Sequence, residues 1–236
     1  MRKPLILILA LLLSLGLISC RGAETKTPGA TEDAVVTTDA PEEPETPPEE
    51  TTEESAPEIE ITQMDGITYI NGILIANKTH GLPADYDPGI DAVASSALAK
   101  MQMAAAEEGI ELFVVSGYRS YSYQQNLYNN YVARDGQAAA DRYSARPGYS
   151  EHQTGLAFDL NSLEESFGET REGIWLKEHC YEYGFIIRYP KEKEAETGYM
   201  YEPWHVRYLG EDLAKQVYES GLCLEEYLDI TSVYAD

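Results

Sequence analysis

SEHQTGLAFDL, residues 150–160, sets His152 seven positions before Asp159, and Asp159 interrupts an apolar run. Gly155–Leu160 reads as a buried strand, because it is short, apolar and entered from a glycine. An ionised carboxylate is costly in such a setting unless something compensates its charge. Asp159 therefore needs a partner, and His152 alone does not explain it.

A second polar interruption lies in YEPWHVRY, residues 201–208, where Glu202 precedes His205 by three positions. His152, Asp159 and His205 would supply two imidazoles and one carboxylate. A catalytic zinc takes three protein ligands and leaves one position for water. Glu202 would then remain as an acid beside the metal, free to move protons. Spacing alone leaves the alternative open. A His-x6-Asp interval arises readily by chance, and Trp204 and His205 could be ordinary packed residues at a strand end.

Around these two stretches the pattern is mixed. ITYINGILIA, 67–76, reads as a hairpin turning at Asn71-Gly72. Residues 91–108 read as a helix capped by Asp91, with Val93, Ala97, Met101 and Ala105 as its apolar stripe and Gly109 as its stop. ELFVVSG, 111–117, is expected to be a short buried strand. A second helix is expected over 120–133, opened by Ser120 or Ser122, followed by a loop with some helix to Ser150. A helix over 171–183 ends at Gly184, FIIRY and 201–208 continue the sheet, and a last helix covers 212–219 before Gly221. Helices and strands mix without βα alternation, so the expected fold is α+β, a small mostly antiparallel sheet flanked by helices.

The N-terminal quarter is different material. Arg2 and Lys3 precede an apolar run from Leu5 to Ile18, about 14 residues where a bilayer span needs roughly 20. This is the layout of a secretory signal. Leu17-Ile18-Ser19-Cys20 resembles a bacterial lipobox, with Cys20 acylated after cleavage and the protein held at a membrane surface. Residues 21–60 are rich in Thr, Glu and Pro, hold no aromatic residue, and carry 13 acids against 2 bases. Such a segment is expected to be a disordered, extended tether. A flexible coil of that length spans roughly 35 Å. Residues 61–236 then form one domain, holding every Tyr and Trp. The chain carries a net charge of −24, of which −11 lies in the tether and +2 in the signal, leaving −15 for the domain. That balance disfavours nucleic acid as a partner. Cys180 and Cys223 are the domain's only cysteines; outside the cytoplasm they could be paired or free.

Three ordered motifs carry a resemblance: SGYRS at 116–120, GYSEHQTGLAFDL at 148–160 and GYMYEPWHVRYLG at 198–210. Together they resemble the VanY-type D-alanyl-D-alanine carboxypeptidases, zinc metallopeptidases that trim bacterial cell-wall stem peptides. Ser-x-His-x6-Asp followed by Glu-x-x-His is that family's signature. NKTHGLPADYDPG at 77–89 and WLKEHCYEYGFIIRYP at 175–190 are similar to its intervening segments, so the likeness spans about residues 65–228.

The resemblance implies a hedgehog/DD-peptidase-like fold and one zinc ion on His152, Asp159 and His205. It implies Glu202 as catalytic base, and Arg119 as the charge that steadies a substrate carbonyl oxygen or carboxylate. Ser150 is implied in hydrogen bonding to the peptide, and Gln125, on the helix after Arg119, is expected to face the cleft. Glu151 would point away from His152 in an extended chain and is expected to be structural or solvent-facing. Trp204 is expected to wall the site. His80 and His179 are read as a loop residue and an exposed or packed helical residue. The implied partner is a peptidoglycan stem peptide, cut at a D-Ala-D-Ala or L,D bond by a monomer. The alternative is a non-catalytic wall-binding or signalling module with a zinc site, since fold alone does not fix catalysis.

Overall fold

The computed structural model describes residues 59–235. The signal segment, Cys20 and nearly all of the expected tether lie outside the described residues. No helix among the described residues is long and apolar enough to cross a membrane.

The chain opens with three short strands, β1 (Ile61–Met64), β2 (Ile67–Ile70) and β3 (Ile73–Ile75), paired antiparallel in that order. Asn71 and Gly72 both have positive φ, 50° and 78°, as the two-residue turn between β2 and β3 requires. Asp65 and Gly66 repeat the device between β1 and β2. The strand β1 was not expected; its residues are all exposed and offer no buried alternation to read.

The remaining elements are α1 (Ala92–Glu107), β4 (Val114–Ser116), α2 (Tyr121–Asp135), α3 (Gln137–Tyr143), β5 (Ala157–Leu160), α4 (Arg171–His179), β6 (Phe185–Tyr189), α5 (Glu194–Thr197), β7 (Glu202–Tyr208), α6 (Glu211–Ser220) and α7 (Leu224–Tyr227). β4, β5, β7 and β6 form a four-stranded sheet in that order, every pair antiparallel. The α+β expectation holds, with two small sheets in place of one, and β4 is an exposed edge strand, not a buried one, with Val114 and Val115 45% and 44% exposed.

Asp91 caps α1, its carboxylate accepting from the backbone N–H of Val93 and Ala94. The buried stripe is Ala94, Leu98, Met101 and Ala105, whereas Val93 is 62% exposed. Steps of four residues drift by about 40° each around a helix of 3.6 residues per turn, and a 4-3-4 spacing corrects the drift. The expected stripe used only fours and so began on the wrong side. Ser120, not Ser122, caps α2, accepting from the N–H of Tyr123.

The main core joins α1 and α4 to the sheet through Leu98, Met101, Leu176, Phe158, Phe185 and Val206. Phe158 and Val206 are direct partners across β5 and β7. A second cluster seats the β2–β3 hairpin, β6, α6 and α7 on one another, with Ile70, Ile75, Ile186, Val217 and Leu224.

Gly155 joins the turn that carries His152 to β5. Its φ is +74°, and a Cβ there would lie 2.1 Å from the carbonyl oxygen of Gly89. Its own carbonyl accepts from the N–H of Asp91, 3.1 Å away. The turn is thus clamped to the start of α1, and only glycine fits. Gly155→Ala is expected to destabilise the fold by about 2–4 kcal/mol, strain and clash together. Gly72→Ala, which has the same sign of φ but open space around it, should cost about 1–2 kcal/mol. Thermal melts of both variants check this, and equal losses would show that backbone conformation alone matters at Gly155.

Candidate metal centre

His152 sits in a single 3-10 turn, Glu151–Thr154, just before β5. Asp159 in β5 and His205 in β7 are direct partners in the antiparallel ladder. Opposed residues project from the same face, so the register that turns Phe158 and Val206 into the core turns Asp159 and His205 away from it. His152 Nε2 lies 3.2 Å from Asp159 Oδ2, and His205 Nδ1 lies 3.1 Å from Asp159 Oδ1. One donor atom from each of the three lies within 4.8 Å of the others, and all three residues are buried.

Each imidazole is fixed from behind. His152 Nδ1 donates to the carbonyl of Gly117 at 2.7 Å, which leaves Nε2 facing Asp159. His205 Nε2 faces Glu151 Oε2 at 3.4 Å, which leaves Nδ1 toward Asp159 and Glu202. Glu202 Oε2 is 3.7 Å from that Nδ1. In a regular strand a residue three before His205 would point to the opposite face. The ladder shifts register between Ile187 and Tyr189, where β6 meets the start of β7. Pro203, which has no N–H to give the ladder, follows Glu202 there.

The cluster is electrostatically tense. Burial pushes His152 down to about 4, helped by the nearby Arg119 charge. Burial acts the same way on His205, but the adjacent carboxylates of Asp159 and Glu151 overcome it and lift the ring to about 9. Burial lifts Glu202 to about 8, with Asp159 adding to the effect and the His205 charge opposing it. Asp159 is held well below the usual carboxylate range; burial opposes this, and His152 and His205 outweigh it. Its Oδ1 is buried and accepts no hydrogen bond despite the ring nitrogen 3.1 Å away. Two ring nitrogens and an unpartnered carboxylate oxygen converging on one point form a donor set that fits a divalent cation of the zinc type. A cation there would take over the role of the shared protons and draw Glu202 back down.

The donors lie in a cavity of about 410 Å³. Arg119, Ser150 and Trp204 line it, as does Glu202. Arg119 Nε donates to Ser116 Oγ at 2.8 Å and Nη2 to Asp159 at 2.5 Å, and 17% of its side chain is exposed. Gln125 is a correction: it is exposed and does not line the cavity. One position earlier, Gln124 is fully buried and donates to Ser144 Oγ and the Ala145 carbonyl on the cavity wall. The α2 residues that line the cavity are Leu127, Tyr131 and Arg134.

Glu151 is structural, as one half of its expectation has it, and not solvent-facing. It is 2% exposed, and the chain around it is a 3-10 turn, so the alternation of an extended segment does not apply. Its Oε1 accepts from Arg188 Nε at 2.8 Å and Arg207 Nη1 at 2.9 Å. Burial works against ionisation, yet the two guanidinium groups hold Glu151 well below the usual carboxylate range. A carboxylate beside a candidate histidine ligand was the one signal in the sequence that pointed to it. His80 and His179 lie away from the cluster; His179 contacts Glu182 at 3.0 Å. Cys180 and Cys223 are buried and free.

A model of the VanY family, described as D-alanyl-D-alanine carboxypeptidase, matches residues 88–211. YodJ of Bacillus subtilis strain 168, named provisionally as a carboxypeptidase, is 39% identical over 235 residues, 87% of this chain and 86% of that protein. Among solved structures, the LdcB LD-carboxypeptidase is 46% identical with a TM-score of 0.69, covering 75% of this chain and 98% of its own. The vancomycin-resistance D,D-pentapeptidase VanY, solved in complex with Zn(II), is 38% identical with a TM-score of 0.59, covering 65% and 97%. The chain belongs to the VanY family of D-alanyl-D-alanine carboxypeptidases. The hedgehog/DD-peptidase-like architecture expected from the motifs is the one these neighbours share.

A cation that binds only the folded protein stabilises it by about 2.7 kcal/mol at a hundredfold excess over Kd. At roughly 2–4 °C per kcal/mol for a domain of this size, saturating Zn2+ should raise Tm by about 5–10 °C. A chelator should reverse the shift and Asp159→Ala should abolish it. A Tm indifferent to Zn2+ in differential scanning fluorimetry would count against the centre.

Proposed function

We propose that this protein is a zinc-dependent carboxypeptidase that removes the C-terminal D-alanine from peptidoglycan stem peptides. The observation that carries the reading is the convergence of His152, Asp159 and His205 with an additional buried acid, Glu202, in one cavity. A purely structural metal site takes four protein ligands and no additional acid. His152 Nε2, His205 Nδ1 and a carboxylate oxygen of Asp159 would hold the ion. When bound, zinc supplies a Lewis acid for the scissile carbonyl and acidifies water at neutral pH.

The chain's own groups do the rest. Glu202 takes a proton from the attacking water as its oxygen bonds to the peptide carbonyl carbon. It then gives that proton to the amine of the departing D-alanine as the C–N bond breaks. Burial raises Glu202 and a bound cation would lower it, and the balance between the two sets how readily it accepts and returns the proton. Arg119, on the cavity wall with part of its guanidinium exposed, is placed for the terminal carboxylate or the developing oxyanion. Ser150, buried at the same wall, is a hydrogen-bonding partner for the peptide.

The L,D bond of a tetrapeptide is the favoured target. The L,D-carboxypeptidase LdcB is 46% identical over 75% of the chain, against 38% over 65% for the D,D-acting VanY. The N-terminal signal, Cys20 and the acidic tether support secretion and a lipid anchor, with the domain held off the membrane toward the wall. Donors, acid and arginine all come from one chain, so the reading needs only a monomer.

The test offers purified protein a tetrapeptide and a pentapeptide stem, with and without a chelator, and reads products by mass spectrometry. One D-alanine should leave the tetrapeptide in a chelator-sensitive reaction. Cleavage of the pentapeptide alone would move the assignment to the D,D bond. Zinc-loaded protein that cuts neither stem would favour a binding module. Glu202→Gln should keep zinc and lose at least ~10²–10⁴-fold in kcat, while His205→Ala should lose both zinc and activity.

A further inference from the structure

We propose that Glu151 is a positioning residue that fixes which nitrogen His205 presents, and that Arg188 and Arg207 hold it to that task. The proposal rests on the zinc reading of the centre. Glu151 divides its two oxygens between two jobs. Oε1 accepts from Arg188 Nε and Arg207 Nη1, at 2.8 and 2.9 Å. Oε2 faces His205 Nε2 at 3.4 Å. A carboxylate held between two guanidinium groups stays ionised, and an ionised carboxylate only accepts hydrogen bonds. His205 therefore keeps a proton on Nε2, and the ring proton that a bound cation would displace is the one on Nδ1, which faces Asp159 and the cavity.

The arginines are fixed in turn. Arg188 is fully buried and makes a two-pronged pair with Glu225 of α7, at 2.7 and 2.5 Å. Arg207 Nη2 donates to the carbonyl of Leu74 in β3 at 2.7 Å. Asn77 closes the far side, donating to Glu225 at 3.2 Å. Glu151 and Glu225 face Arg188 and Arg207, so the charges balance where none reaches water. Leu74 and Glu225 both lie outside residues 88–211, the span the family model matches. The geometry thus ties His205 to the first hairpin and to the C-terminal helix.

Glu151→Gln tests this sharply. The amide keeps one acceptor oxygen, which the two arginines share as they share Oε1 in the wild type. Its NH2 is left facing His205, where a donor meets the ring and drives the proton to Nδ1. The full-length protein would be compared with the variant in three readouts: zinc affinity by chelator competition, the His205 tautomer by ring 15N NMR (both proteins metal-free at a pH where the ring is neutral, and the wild type also with zinc), and Tm of the metal-free state. We expect 10–100-fold weaker zinc binding, a range typical for loss of a histidine's outer partner, with the proton of the metal-free neutral ring moving from Nε2 to Nδ1. A merely structural Glu151 would lower Tm and leave zinc affinity within twofold and the tautomer unchanged, which overturns the proposal. Should the variant not fold, the wild-type spectrum decides: Nε2 protonated with Nδ1 bound to the metal supports it, and the reverse arrangement overturns it. Wild-type protein that takes up no zinc would instead sink the metal-centre reading, and this proposal with it.

Discussion

The site depends on one register: Asp159 directly opposite His205 in the β5–β7 ladder. Strand side chains alternate with a period of two, so a slip by one residue would exchange faces along the whole strand. Phe158 and Val206 would leave the core, and the aspartate and histidine would enter it. Core packing and donor placement are therefore one constraint. The apolar cluster against α1 and α4 holds the register, and the register holds the donors. Gly155 extends the constraint to His152, because its close approach to Gly89 fixes where the preceding turn sits relative to β5.

A sheet face that collects Asp159, Glu151, Glu202 and two histidines below 10% exposure faces a solvation problem. Removing one partner from a buried pair commonly costs about 3–5 kcal/mol. The chain answers it in two different ways. Glu151 is neutralised by the guanidinium groups of Arg188 and Arg207. Asp159 and Glu202 are left to protons, to the part-exposed Arg119 and to whatever cation binds. The first arrangement makes a rigid base. The second leaves an exchangeable charge where chemistry is proposed. The contrast between these neighbouring carboxylates separates scaffold from working groups more clearly than burial does, since both sets are equally enclosed.

The sequence made the donors legible because each sits in a local pattern that strand chemistry makes conspicuous. A carboxylate in an apolar run at Asp159 and a polar break in YEPWHVRY at Glu202 and His205 conflict with their surroundings, and such conflicts mark function. Resemblance then joined two fragments that spacing could not. What failed failed for geometric reasons. Gln125 lies on the exposed side of α2, whereas Leu127, Tyr131 and Arg134 line the cavity, a matter of helix phase that no local residue announces. Glu151 was judged by the alternation of an extended chain, but the backbone there turns as a 3-10 helix and aims the side chain inward. The partners that give Glu151 its meaning lie 37 and 56 residues away, and no pattern near position 151 announces them.

Those distant partners also bear on what constitutes the functional unit. The matched family span ends at residue 211, and the residues before 88 and after 211 could be taken as decoration. The structure argues otherwise. Leu74 in β3 and Glu225 in α7 are the outermost contacts of a buried chain of charges that ends at His205. The second apolar cluster seats that hairpin and helix against β6, the strand that carries Arg188. Apolar packing places the flanks, the flanks place the arginines, and the arginines place the carboxylate behind the histidine. A fully satisfied buried polar network of this kind tolerates little displacement, so the precision of the donor set is set partly by segments that contribute no donor.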